Sequence, residues 1–224
     1  MLAVIGYTLP LALIVWFSPT RVMAATLLLF SGRARPVAGG YAVGWVLGIS
    51  LCVVAFTIGA ALATAATSHS TTGSTPLLYL VVGLTMIAMA GVAWRSRPRP
   101  GVKRPTPRWM LMIDRLTPMS ALGLGFAFSI VSPTHLLAIA AAGAAIAGAG
   151  LSVGDQIAIG LVFIVICTSS VTVPVGAAIL APQRTEVPLR RLHDWLEKHG
   201  PTTVVVVFLV IGVDFLGKAI AALS

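Results

Sequence analysis

The sequence predicts an all-α polytopic membrane protein of six transmembrane helices arranged as two inverted three-helix repeats. Helices one and four are broken by proline, and both termini lie outside. Three observations carry that prediction. The chain of 224 residues is 58% hydrophobic and only 9% charged, with a mean hydropathy of +0.99, whereas soluble domains carry roughly 25% charged residues. A phrase recurs about half a chain apart, Ser18-Pro19-Thr20-Arg21 and then Ser132-Pro133-Thr134-His135, each time inside an apolar run. The basic residues, finally, collect in alternate loops.

A bilayer core of about 30 Å needs about 20 apolar residues per helix. The first run, Leu2 to Phe30, is too long for one straight crossing, and Ser18-Pro19 divides it. Proline lacks the N–H and clashes with the preceding turn. Span two covers about 37–64 and span three about 76–94. Span four runs over about 121–149, with its break at Ser132-Pro133. Span five covers about 156–180 and span six about 202–223. The first run has no charged side chain from Met1 to Trp16 and no small-residue cleavage site ahead of a soluble domain. It therefore reads as a membrane helix rather than a signal peptide.

Orientation follows from the loops. Arg33 and Arg35 lie between spans one and two. Seven more basic residues, Arg95 to Arg115, lie between three and four, and Arg184, Arg190, Arg191 and Lys198 between five and six. Thirteen of the 15 Lys and Arg residues thus fall on one side. That side is cytoplasmic by the positive-inside rule, and the net charge of +9 needs no nucleic-acid partner. The predicted organisation is a first repeat over 1–94, a basic cytoplasmic linker over 95–120 with an interfacial segment at Trp109 to Ile113, and a second repeat over 121–224. Within the second repeat, 187–198 reads as an amphipathic cytoplasmic helix. Leu189, Leu192, Trp195 and Leu196 gather on one face, suited to the membrane interface and anionic headgroups.

Paired broken helices are how duplicated transporters build a central site, and ionisable groups at membrane depth are functional candidates because burying them is costly. The candidate substrate- or ion-binding residues are Arg21, His135 and Asp214, with Ser18, Thr20, Ser132 and Thr134 at the breaks and Thr168 and Ser169 on span five. Pro19, Pro133 and Pro174 are the expected helix breaks. Arg21 and Asp214 lie at comparable depths, so they can form a structural pair or serve the substrate. A guanidinium in a cavity suits a phosphate or carboxylate. His135 can pass a proton or recognise an anion, or simply bond a neighbouring carbonyl. The hydroxyls at the breaks can cover freed carbonyls or line the cavity. Thr168 to Thr172 can form a second wall or a packing seam, and the Ala/Gly run from Ala138 to Gly150 reads as packing. Lys218 is expected to snorkel outward.

No metal-binding or paired-carboxylate motif and no phosphate-binding loop is present, so the chain reads as a non-enzyme without cofactors. A membrane thiol–disulfide carrier is disfavoured because Cys52 and Cys167 lack a Cys-x-x-Cys partner and sit in apolar surroundings, which leave a thiol inert.

Ser18-Pro19 with Ala24-Ala25 and Leu27-Leu28-Leu29, Gly32 to Pro36, and Gly44-Trp45 resemble the lysine-exporter superfamily. So do Leu116-Thr117-Pro118, Gly123 to Phe128, and Ser132-Pro133-Thr134-His135-Leu136 through Leu151-Ser152. The chain is most similar to the GAP branch of that superfamily, the peptidoglycolipid or sulfolipid addressing proteins of mycobacteria and related actinobacteria. Where relatives often carry Asn-Pro-Lys-Asn-Leu, this chain keeps the proline but replaces the lysine and asparagine. The resemblance implies export across the cytoplasmic membrane, either of envelope lipids and glycolipids or of amino acids and small metabolites. Any uphill movement must then draw on an ion gradient, on voltage, or on a partner, with Asp214 or His135 as the titrating group. The alternative is a non-transporting accessory that scaffolds a lipid-export complex. The expected partners are membrane lipids with anionic or glycosylated headgroups, a second copy of the chain, or such a complex.

Overall fold

A computed structural model describes residues 1–29, 34–66, 74–95 and 116–222. Arg33, the His69 loop, most of the basic linker and its Trp109 to Ile113 segment lie outside the described residues. Everything described is helix or short connection. The helices are α1 (Leu2–Trp16), α2 (Pro19–Leu29), α3 (Ala34–Ala66), α4 (Ser74–Arg95), α5 (Pro118–Ile130), α6 (Pro133–Ala147), α7 (Val153–Leu180) and α8 (Pro182–Ala221).

Both breaks fall where the repeated phrase places them. The axes of α1 and α2 bend by 53°, and those of α5 and α6 by 68°. The cause is local. A residue before proline is pushed out of the helical region, and Ser132 is extended at φ −86°, ψ 113°. Proline at the first helical position gives up no hydrogen bond and is already set at helical φ. The serine carbonyls then accept the first helical bonds, from Val22 N to Ser18 O at 3.2 Å and from Leu136 N to Ser132 O at 3.0 Å. Pro174 behaves otherwise. The expected break there does not occur, and α7 runs through it for 28 residues. Val173 before it stays helical, and α7 is held along its length by α1, α2, α3 and α8, so one missing N–H does not divide the helix.

By length and composition three helices can cross a bilayer, over Arg35–Ala63, Val153–Leu180 and Lys198–Ala221, and each bent pair can supply one more span. The described residues therefore give an all-α polytopic membrane protein with up to five candidate spans, one fewer than expected. The predicted third span is α4, a helix of 22 residues that is counted only over Leu80–Arg95 among these candidates. The segment 187–198 is not a separate helix either. It forms the first part of α8, a 40-residue helix of about 60 Å at 1.5 Å per residue. Leu189 and Leu196 turn into the protein and only Trp195 of that face is left 45% exposed. Thr26 Oγ1 on α2 meets His193 Nδ1 at 2.9 Å, so this apolar face covers protein rather than headgroups.

Helices of the two halves interleave. α3 packs against α5, α6 and α7, α1 against α6 and α7, and α4 against α8. In lipid, association comes from van der Waals packing, and small residues let backbones approach. Gly40, Gly44 and Gly48 form a four-residue ladder on α3, facing the backbones of Pro118 and Leu122 and the side chain of Ser129, while Gly125 on α5 faces the Tyr41 carbonyl. On an adjacent flank of α3, Val43, Leu47, Leu51, Val54, Ile58 and Leu62 stay exposed, as an acyl-chain environment allows. The α3–α5 seam buries Tyr41 and Trp45 completely and so positions the aromatic floor beneath the two breaks.

Candidate functional site

The two proline phrases face one another across a cavity of about 320 Å³. Ser18, Thr20 and Arg21 from the first break line it, with Ser132, Thr134 and His135 from the second. Ile14, Phe17, Phe128 and Val131 complete the apolar wall, together with Val204 and Phe208 of α8.

Arg21 is the tie between the halves. Its Nε donates to the Phe128 carbonyl at 3.0 Å, in the last turn of α5, where carbonyls lack intrahelical donors. Its Nη1 donates to Ser18 Oγ and meets His135 Nε2 at 2.7 Å. A guanidinium has only donors, so Nε2 must accept, which assigns the ring proton to Nδ1. The Trp45 ring centroid lies 5.1 Å from the guanidinium carbon, a cation–π distance. Trp45 also stands edge-on to His135, with ring centroids 6.2 Å apart. Tyr41 Oη donates to the Arg21 carbonyl at 3.3 Å. No carboxylate pairs with Arg21: the ion pairs among the described residues are Glu186–Arg190 and Asp214–Lys218. A half-buried cation with only neutral partners, beside a mostly apolar cavity, suits an anion attached to something greasy.

Three expected site residues are not brought to this cavity. The sequence left open an Arg21–Asp214 pair. Asp214 instead accepts from Lys218 Nζ at 2.8 Å, one turn along its own helix, where i,i+4 partners meet first. Lys218 in turn sits 5.6 Å from the Tyr7 ring and 5.0 Å from the Phe215 ring. Thr168 returns its hydroxyl to the Ile164 carbonyl at 2.8 Å. Ser169 donates to the Ile166 carbonyl and accepts from Trp16 Nε1 at 2.9 Å, which ties α7 to α1. These hydroxyls serve the packing reading. Ser169→Ala should accordingly lower stability by about 1 kcal/mol, the usual net worth of a hydrogen bond. Transport should be left intact, as thermal denaturation in detergent and a liposome assay would show.

Trp45 and Phe128 were not singled out as site residues. Trp45 follows Gly44 of the glycine ladder, which sets it beside the α3–α5 crossing, a crossing the sequence alone does not show. Among the described residues no group of three or more His, Cys, Asp or Glu could hold a metal.

The family model described as "Sap, sulfolipid-1-addressing protein" matches residues 8–221. The "Peptidoglycolipid exporter Gap" of Mycolicibacterium smegmatis is 31% identical over 68 residues, which is 30% of this chain and 25% of that protein. The chain thus aligns with about a quarter of that relative's length. No solved structure gives a significant match. The apolar spans make the protein a multi-pass membrane protein, and the family match agrees with the resemblance read from the sequence.

Proposed function

The chain belongs to the Sap family of sulfolipid-1-addressing proteins, and from that premise we propose that it is a secondary exporter or flippase. Its substrate is an envelope lipid or glycolipid with an anionic headgroup, drawn from the cytoplasmic leaflet. The observation that carries this reading is Arg21, a cation without a carboxylate partner among the described residues, facing a cavity whose walls are largely apolar. Val131 lines that cavity and is 72% exposed. It lies at the break of the predicted span four, and an apolar side chain exposed there suits a mouth open to acyl chains. A lateral mouth favours a lipid over a free amino acid, which needs a closed aqueous pocket. The name of the similar peptidoglycolipid exporter points the same way.

The working architecture is six spans in two inverted triplets, 1–94 and 121–224, joined by the basic linker, with both termini outside. Helix packing supports it. Exchanging α1/α2/α3/α4 with α5/α6/α7/α8 carries the α3–α5 contact onto α7–α1 and α3–α6 onto α7–α2, and leaves α4–α8 on itself. Transport is then a rocking of the halves about the two breaks, driven by an ion gradient or voltage. Ser18, Thr20, Ser132 and Thr134 offer hydroxyls to the headgroup.

The test is reconstitution of the purified protein alone into liposomes carrying a fluorescent anionic lipid labelled on its headgroup. Accelerated exchange between leaflets, read by a membrane-impermeant quencher, is expected. Exchange no faster than in empty liposomes would reject the transporter and leave an accessory of a lipid-export complex.

A further inference from the structure

Taking the anionic-headgroup site as given, we infer that each anion enters it together with one proton, carried by His135. In the unliganded site His135 is a neutral imidazole. Its Nε2 lone pair accepts from Arg21 Nη1 at 2.7 Å, and its Nδ1 is buried without a hydrogen-bond partner among the described residues. Every acceptor on the guanidinium is neutral: the Phe128 carbonyl on Nε, and Ser18 Oγ and the imidazole on Nη1. Hydrogen bonds to ionised acceptors are about twice as strong as neutral ones, so an anion displaces neutral partners.

Nε is held by α5, which leaves the Nη1–Nη2 edge for a bidentate grip. That edge uses one N–H of each nitrogen, and in the exchange the Nη1 N–H now on His135 Nε2 is the one the anion takes. Nε2 then becomes a buried lone pair without a donor, which is unfavourable. A proton taken from water onto Nε2 makes it a donor to the same anion and leaves guanidinium and imidazolium on either side of it. For a monoanion the site carries one net positive charge both before and after, so no extra charge is buried.

Among the described residues no charged side chain other than Arg21 contacts His135. Of the helices packed on α6, α3 offers Tyr41, which bonds the Arg21 carbonyl, Cys52, and the exposed Arg35 in its first turn. From α7 come Cys167, directed at the Ala12 carbonyl, and Asp155, bonded to Ser152 at the far end. On α1 the titratable side chain is Tyr7, which packs on Phe215, and α5 has none. The face of Trp45 toward Arg21 and its edge toward His135 keep both groups in place during the exchange.

Hexyl sulfate is the probe, because its headgroup does not titrate near neutral pH and any proton taken up belongs to the protein. Calorimetry of the full chain in lipid nanodiscs, repeated in buffers of different ionisation enthalpy, should give uptake of about one proton per anion bound. His135→Gln should bind more weakly with no uptake. Independently of any variant, wild-type affinity should fall by about tenfold per unit of pH above neutrality. Binding without proton uptake, or uptake that persists in His135→Gln, overturns the coupling while the anion site stands. No binding of hexyl sulfate at any pH removes the anion site itself.

Discussion

Arg21→Lys should impair leaflet exchange of an anionic lipid nearly as severely as Arg21→Met, although it keeps the positive charge. Arginine here acts as a planar fork. One edge reaches the Phe128 carbonyl through Nε while Nη1 reaches Ser18 and His135, and the plane lies over Trp45. Lysine carries its charge at a single nitrogen and cannot bond α5 and present a bidentate edge at once. Losing hydrogen bonds to a charged donor costs about 1.5–3 kcal/mol, which at 1.36 kcal/mol per tenfold in rate predicts a reduction of roughly 10- to 150-fold. The fold should survive, since Arg21 lies outside the α3–α5 seam, and monodisperse elution in detergent checks that. Wild-type exchange by Arg21→Lys would mean that a point charge suffices, and the fork geometry would have no role.

The breaks were legible because their cause is local. A Ser-Pro pair within an apolar run ends one helix and starts the next whatever surrounds it, and the repeat told which two pairs mattered. Pro174 has the same chemistry but a different setting, packed on several helices and without an extended residue before it. Sequence alone weighs the proline and not the neighbours. Asp214 was misjudged as a possible partner of Arg21 because depth along a helix says nothing of azimuth, and Lys218 one turn away was the nearer cation. Thr168 and Ser169 were ambiguous in principle, since a hydroxyl that can line a path can equally bond its own helix. The segment 187–198 buries Leu189 and Leu196. Its apolar face found α2 instead of the membrane, a choice that only tertiary packing makes. The Arg21–His135 juxtaposition was foreshadowed by the recurrence of the proline phrase, which sets the two residues 114 positions apart. The role of Trp45 was not foreseen, because an aromatic beside a glycine is unremarkable until the crossing it borders is known.

That crossing supports the second large effect, a pair of substitutions in one helix with opposite signs. Gly44→Ala places a methyl onto the Leu122 carbonyl, well inside contact distance, whereas Gly59→Ala meets nothing within 4 Å. Both lie within α3, where Gly costs about 0.5–1 kcal/mol relative to Ala, so Gly59→Ala should be neutral or stabilising by about that much. At Gly44 the obstacle is backbone, which cannot turn aside as a side chain can. The helices must part, with an overpacking penalty of typically 1–3 kcal/mol. Parting moves Tyr41 and Trp45 away from Arg21, since both ride on the same turns of α3. Gly44→Ala should therefore lower the thermal midpoint in detergent and also depress lipid exchange in whatever fraction remains folded. Equal midpoints for the two variants would mean that α3 and α5 are not in backbone contact. The aromatic floor under the two breaks would then have to be held by something other than this seam.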